Sequence, residues 1–225
     1  MKMLAGDYEG AIAACDRELA ASPHDVATLL VKQSILFAHL RRYPEAIAVS
    51  DAILARVPAP DPRHLEQLTT RAAILVKLGR VDEAITCGQW ILHYAPRDPE
   101  SHARMADVFA LAQRERDAVA AFDAGIRAFP QAPSLYEKRG LFLLARGQAA
   151  DAVRTFDAAL AFAPNADGLW YNRGCACAQL GDVDGAVFSL GRAIQLRPSA
   201  RDTARIDGDY AKIKDTPAFR ALVGM

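Results

Sequence analysis

The cysteines and histidines of this sequence are few and poorly spaced for metal ligation or nucleophilic chemistry. Four cysteines, Cys15, Cys87, Cys175 and Cys177, are too sparse and irregular for a secreted disulfide framework and read as reduced thiols. Cys175 and Cys177 lie close in sequence, but two positions apart on a helix puts side chains about 200° from each other, so the pair cannot chelate one ion without unwinding it. The five histidines show no ligand spacing, and His24, His64 and His93 read as solvent-facing or packing residues. Two acidic clusters, Asp182-Val183-Asp184-Gly185 and Asp207-Gly208-Asp209, suggest calcium only faintly, because neither belongs to a loop closed by the required Glu. Such Asp-Gly pairs ordinarily make turns and caps. No nucleophile elbow, zinc-binding histidine pair, phosphate loop or dinucleotide fingerprint occurs. The expectation is a non-enzymatic protein with no cofactor and no metal.

Charge and hydropathy exclude further classes. Lys+Arg and Asp+Glu number 27 each, so no summed field favours nucleic acid or an anionic membrane. No apolar run approaches the length of a spanning helix, and the start, Met1 to Asp7, turns acidic before a signal-peptide core can form. The chain is expected to be cytoplasmic, with no nucleic-acid partner and no membrane insertion. With 52% apolar and 24% charged residues over 225 positions, it can bury a substantial core.

What positions the side chains is a repeat. Pro23, Pro58, Pro96, Pro130, Pro164 and Pro198 are separated by 35, 38, 34, 34 and 34 residues, and Ala11, Ala46, Ala84, Ala118, Ala152 and Ala186 keep the same gaps. Within one period, residues 133–166 place Tyr136, Gly140, Leu143, Gly147, Ala152, Phe156, Ala159 and Pro164 at fixed offsets; 167–200 follow with Trp170, Gly174, Cys177, Gly181, Ala186, Leu190, Ala193 and Pro198. This spacing resembles the tetratricopeptide repeat (TPR), a helix–turn–helix unit of about 34 residues with the pattern W-x2-L-G-x2-Y, A-x3-F and P. The resemblance implies an all-α, right-handed superhelical α-solenoid of helix–turn–helix repeats with a C-terminal capping segment. It divides the chain into a half repeat carrying only a second helix (1–26), repeats at 27–60, 65–98, 99–132, 133–166 and 167–200, an inter-repeat insert (61–64) and capping helices (201–225). The surplus residue Val26 and the insert are expected between units, and the cap is expected as a helix around 201–213 with another after Thr216-Pro217.

Small residues at Ala72, Ala106, Gly140 and Gly174 and the alanines of the second series let paired helices cross closely, while Leu143, Phe156 and Leu160 fill the shared face at helical spacing. Gly6, Gly79, Gly147 and Gly181 suit the left-handed conformation that ends a helix.

In the family, positions 2, 5, 6, 9, 12 and 13 of each repeat line a concave groove. By that resemblance position 6 reads Lys32, Thr70, Arg104, Lys138 and Asn172, all hydrogen-bond donors, similar to the asparagine ladder with which some TPR superhelices grip an extended peptide. Lys77, Asp107, Tyr171 and Gln179 complete the candidate groove with Glu66, Thr69, Glu100 and Glu137, and Cys175 is expected to face it and to be open to alkylation. The same residues could equally form an ordinary solvated face. The chaperone-tail carboxylate clamp of the family is disfavoured, since position 9 reads Ile35, Ala73, Asp107, Leu141 and Cys175 without the asparagine it needs.

The resemblance therefore implies a non-catalytic protein–protein interaction scaffold that binds a peptide segment or partner helix. Two alternatives stand beside it: the TPR part of a larger enzyme or regulator, and a self-assembling structural module. The lone second helix at the start carries Ala11, Ile12, Cys15 and Leu19 on faces a first helix would cover, and these are expected to form an edge for a homodimer or a missing segment.

Overall fold

A computed structural model describes residues 6–225; residues 1–5 of the expected half repeat lie outside it. Its regular structure is helical, with no strand among the described residues. After a single helix α1 (Tyr8–Ala21), α2 (Val26–Ser34), continued by a π segment (Ile35–His39), packs on α3 (Tyr43–Leu54), and α4 (Pro62–Lys77) on α5 (Val81–Tyr94); α6 (Pro99–Leu111) and α7 (Glu115–Ala128) follow; then α8 (Pro133–Leu144) packs on α9 (Ala149–Leu160), and α10 (Asp167–Leu180) on α11 (Val183–Leu196). Three short helices close the chain: α12 (Ala200–Ile206), a 3-10 turn at Gly208–Tyr210, and α13 (Pro217–Val223). The chain forms two compact units dividing after Ala121, within α7.

The ends of the helices follow from local chemistry. The Asp7, Asp25, Asp61, Asp98 and Asp182 carboxylates each accept from an N–H in the first turn of the helix that follows, satisfying donors that have no intrahelical partner. Asp182 thus directs its charge to the Gly185 N–H at 3.0 Å, as a cap. Gly79, Gly147 and Gly181 turn the chain at positive φ, and where the sequence lacks glycine Arg41 and Gln113 adopt the same conformation at φ 55° and 59°.

Close crossing depends on the small residues. A Cβ on Gly140 would lie 2.3 Å from the Phe156 ring, which is fully buried. Gly140→Ala is therefore expected to cost about 1–3 kcal/mol of unfolding free energy through overpacking; a chemical denaturation curve measures it, and an unchanged midpoint would contradict this packing.

Three expected boundaries are corrected. Val26 is not a residue between units: it begins α2, and the surplus residue is absorbed inside the first helix by the π segment. Leu40 N–H donates to Ile35 O at 3.0 Å, and Arg42 N–H closes the turn on Leu36 O at 2.8 Å, one residue further than the equivalent Arg80 N–H to Leu75 O at 2.9 Å. Residues 62–64 are the first turn of α4, capped by Asp61, rather than an insert. The first capping helix ends at Ile206, because Asp207 turns extended and caps the 3-10 turn instead.

The N-terminal edge differs too. Ala11, Ile12 and Cys15 are buried, Leu19 is partly buried in the same core, and α1 lies against α2 and the π segment. Tyr8 stacks on His39 at 4.1 Å between ring centroids. Within the single chain Ala11, Ile12 and Cys15 are thus core and Leu19 is partly buried, so the four do not form the open stripe expected of an unpaired helix.

Candidate functional site

The π segment changes which residues share a face. N-terminal to it, α2 is one residue out of step with the other first helices, so Gln33 takes the small-residue place of Ala72, and Lys32 takes the place of Arg71. The ion pairs show this register. Lys32 Nζ meets Asp16 at 2.5 Å, and the same link recurs as Arg71–Asp51 at 2.9 Å, Arg139–Asp123 at 2.9 Å and Arg173–Asp157 at 2.6 Å. Each ties a first helix to the second helix of the preceding pair. Lys32 is thus removed from the expected donor ladder, and the half-exposed, apolar Val31 stands in its position.

In the unit up to Ala121, α2, α4 and α6 carry the remaining candidates. Thr70 Oγ1 donates to Glu66 O at 3.3 Å, within α4. Arg104 reaches from α6 to Thr69 Oγ1 on α4 at 3.4 Å and lies 3.9 Å from Glu100. Lys77 is exposed near the end of α4, and Asp107 is half-buried on α6. Between α2, the end of α3 and α4 opens a cavity of about 380 Å³, walled by Leu30, Phe37, Ile53 and Val57 and edged by Gln33 and Thr70.

In the unit from Phe122, Lys138 is half-buried on α8, and Asn172 donates to Glu137 at 3.1 Å across α8 and α10. The two remaining candidates are already engaged by the chain itself. Tyr171 OH donates to Asp207 Oδ2 at 2.6 Å, Gln179 Nε2 donates to Asp209 at 3.0 Å, and Lys212 Nζ donates to the Gln179 carbonyl at 2.6 Å. Residues 207–212 therefore lie over α10, with Tyr210 fully buried and its hydroxyl donating to Tyr171 O at 3.3 Å. Burial and the hydrogen bond to Asp207 push the Tyr171 hydroxyl pKa up.

This cover also corrects the expectation for Cys175, which is only 3% exposed beneath Asp207 and Tyr210 rather than facing a groove. Burial, reinforced by the Asp207 charge, pushes its thiol pKa up, away from the reactive thiolate. Cys175, Asp207 and Asp209 bring their ligand atoms within 4.8 Å of one another, but the carboxylates already accept from Tyr171, Gln179 and the Asp209 N–H. They serve as hydrogen-bond acceptors for the cap. All four cysteines are buried, so iodoacetamide should label none in the native protein and all after denaturation; a native labelled thiol, identified by peptide mass, would contradict this placement.

A family model of the tetratricopeptide repeat matches residues 69–133 and 137–201. The chain belongs to the tetratricopeptide repeat family, of the all-α solenoid class. Among solved structures it is similar to TTC0263, a thermophilic TPR protein of Thermus thermophilus, with 20% identity over 80% of this chain and 95% of that chain, at a TM-score of 0.51. It is also similar to MamA, from residue 41 to its end, of Desulfovibrio magneticus RS-1, with 19% identity over 71% of this chain and 89% of that chain, again at 0.51. These likenesses concern the fold. No curated protein matches the sequence. No helix among the described residues is long and apolar enough to cross a membrane.

Proposed function

We propose that this chain is a protein-interaction scaffold that takes a peptide segment or partner helix on the first helices of its N-terminal unit. The observation that carries this reading is the amphiphilic character of α2, α4 and α6: Leu30 and Val31 are 42% and 46% exposed on α2, Leu30 shares an opening with Thr70 of α4, and Arg104 of α6 bonds to α4. Exposed apolar side chains beside a guanidinium with more N–H groups than its bond to Thr69 uses suit a chain whose side chains are apolar and whose backbone offers carbonyls. In the second unit the equivalent place on α10 holds the chain's own residues 207–212, so a ligand there would first have to displace them.

Partners can be captured from lysate on the immobilised protein and their affinity measured. The pair Thr70→Ala and Arg104→Ala should weaken a groove ligand by about 1–3 kcal/mol with little change in melting temperature. Full affinity in that variant would move the site off this face.

A further inference from the structure

At three junctions, equivalent repeat positions face one another where a first helix lies between two neighbouring second helices, and their chemistry differs. Between α3 and α5 they line a cleft of about 390 Å³, with Arg71 of α4 at its floor and Asp51, Glu83, Thr86 and Trp90 on its walls. Between α7 and α9 the same positions hold Arg139, Asp123, Asp151, Arg154 and Ala158. Between α9 and α11 they read Arg173, Asp157, Gly185, Phe188 and Arg192, and the place of Leu68 is taken by Trp170. Both later junctions contain a second cation supplied by the chain itself. Arg154 is ion-paired with Asp151, and the Arg192 guanidinium lies 5.9 Å over the Trp170 ring. In the first cleft those two places are taken by Thr86, exposed and neutral, and by Trp90, 46% exposed. The acids and an aromatic ring are there, without a cation at either place.

We propose that the cleft between α3 and α5 is a docking site for an arginine side chain of a partner protein, its guanidinium stacking on Trp90 and donating to Asp51. It does not rest on the groove reading above. Trp offers a cation the strongest aromatic face, and this ring is held in place: it stacks on Tyr94 at 5.6 Å, and Tyr94 meets His64 edge-on at 5.5 Å. Asp51 gives Oδ1 to Arg71 at 2.9 Å, yet its side chain is 57% exposed, and a carboxylate accepts from several donors. Glu83, 51% exposed, is tied to Arg80, which is not a wall of the cleft. Arg71 is no bar to a second guanidinium, because its equivalents Arg139 and Arg173 share their junctions with Arg154 and Arg192. A guanidinium fits better than an ammonium, being planar, more weakly hydrated and able to stack and donate at once.

The probes are the peptide acetyl-Gly-Arg-Gly-amide, its lysine counterpart and its citrulline counterpart, which keeps the shape of arginine without the charge. Each is titrated into the full chain and followed by NMR at the Trp90 indole N–H, a signal assigned by its loss in Trp90→Phe. Saturable millimolar shifts are expected there for the arginine peptide, weaker binding for lysine, and none for citrulline. Thr86→Arg installs the cation that Arg154 supplies between α7 and α9. It should weaken the arginine peptide by about tenfold, as expected for one charged contact, while Thr86→Gln, of similar reach and no charge, should leave the affinity unchanged. Thr86 is exposed, so both variants should melt like the wild type. Trp90→Leu, read at the Thr86 amide, should lose the arginine peptide without any change at position 86. Equal shifts from citrulline, equal affinity for lysine, no saturable shift at Trp90, or full affinity in either Thr86→Arg or Trp90→Leu would each overturn the arginine site.

Discussion

Ala152→Asp is expected to lower the free energy of unfolding by about 3 kcal/mol or more. Ala152 is fully buried in α9, which packs against α8 on one side and α10 on the other. Its neighbours in the core include Phe156 and Ala159, both fully buried, so a carboxylate there would be desolvated beside apolar walls. Such a group is held with a raised pKa, and the folded state then binds a proton more readily than the unfolded one. The destabilisation should therefore be full at neutral pH and shrink as pH falls towards the ordinary carboxyl range. Thermal melts across pH measure both parts. A variant melting like the wild type at neutral pH would tell against the placement of α9.

Tyr210→Ala should cost about 3–5 kcal/mol, the range for removing a buried aromatic ring. The ring packs edge-on to Tyr171 at 5.9 Å and against Phe219 at 5.2 Å, and its hydroxyl sits so close to Gly174 that a Cβ there would be 2.6 Å away. It holds residues 207–212 over α10, and Cys175 lies beneath. The loss should accordingly appear twice, as a lower melting temperature and as alkylation of Cys175 in the otherwise native protein. A destabilised variant whose Cys175 still resists iodoacetamide would mean that something other than Tyr210 shields the thiol.

The pairing of helices is legible in the sequence because it rests on spacing: the proline and alanine series share one set of gaps, and glycine or alanine at Gly140 and Ala152 marks where two helices cross. The place of the surplus residue is not legible. A gap of 35 between Pro23 and Pro58 says that one residue is extra, but nothing in the residue types says whether a loop or a helix absorbs it. Its absorption in the π segment shifts the residues up to Leu36, which is why Lys32 reads as a groove donor and pairs instead with Asp16. The burial of Tyr171 and Cys175 and the engagement of Gln179 are hidden for a different reason. Residues 207–215 have no periodicity, and their hold on α10 comes from individual bonds between side chains some thirty positions apart.

The ion pairs that tie each first helix to the preceding second helix have a consequence for how the repeats come apart. Four such junctions carry one, at Lys32, Arg71, Arg139 and Arg173. At the junction of α5 and α6 the corresponding residue is Met105, buried, with its sulfur against Gly88, where an added Cβ would lie 2.3 Å away. In a linear array the cohesion is nearly a sum over neighbours, and partly exposed ion pairs weaken as salt screens them whereas sulfur packing does not. Ionic strength thus acts as a selective solvent for the array: it loosens the charged joints and spares the greasy one, leaving the α5–α6 hairpin boundary as the link whose strength does not depend on the medium.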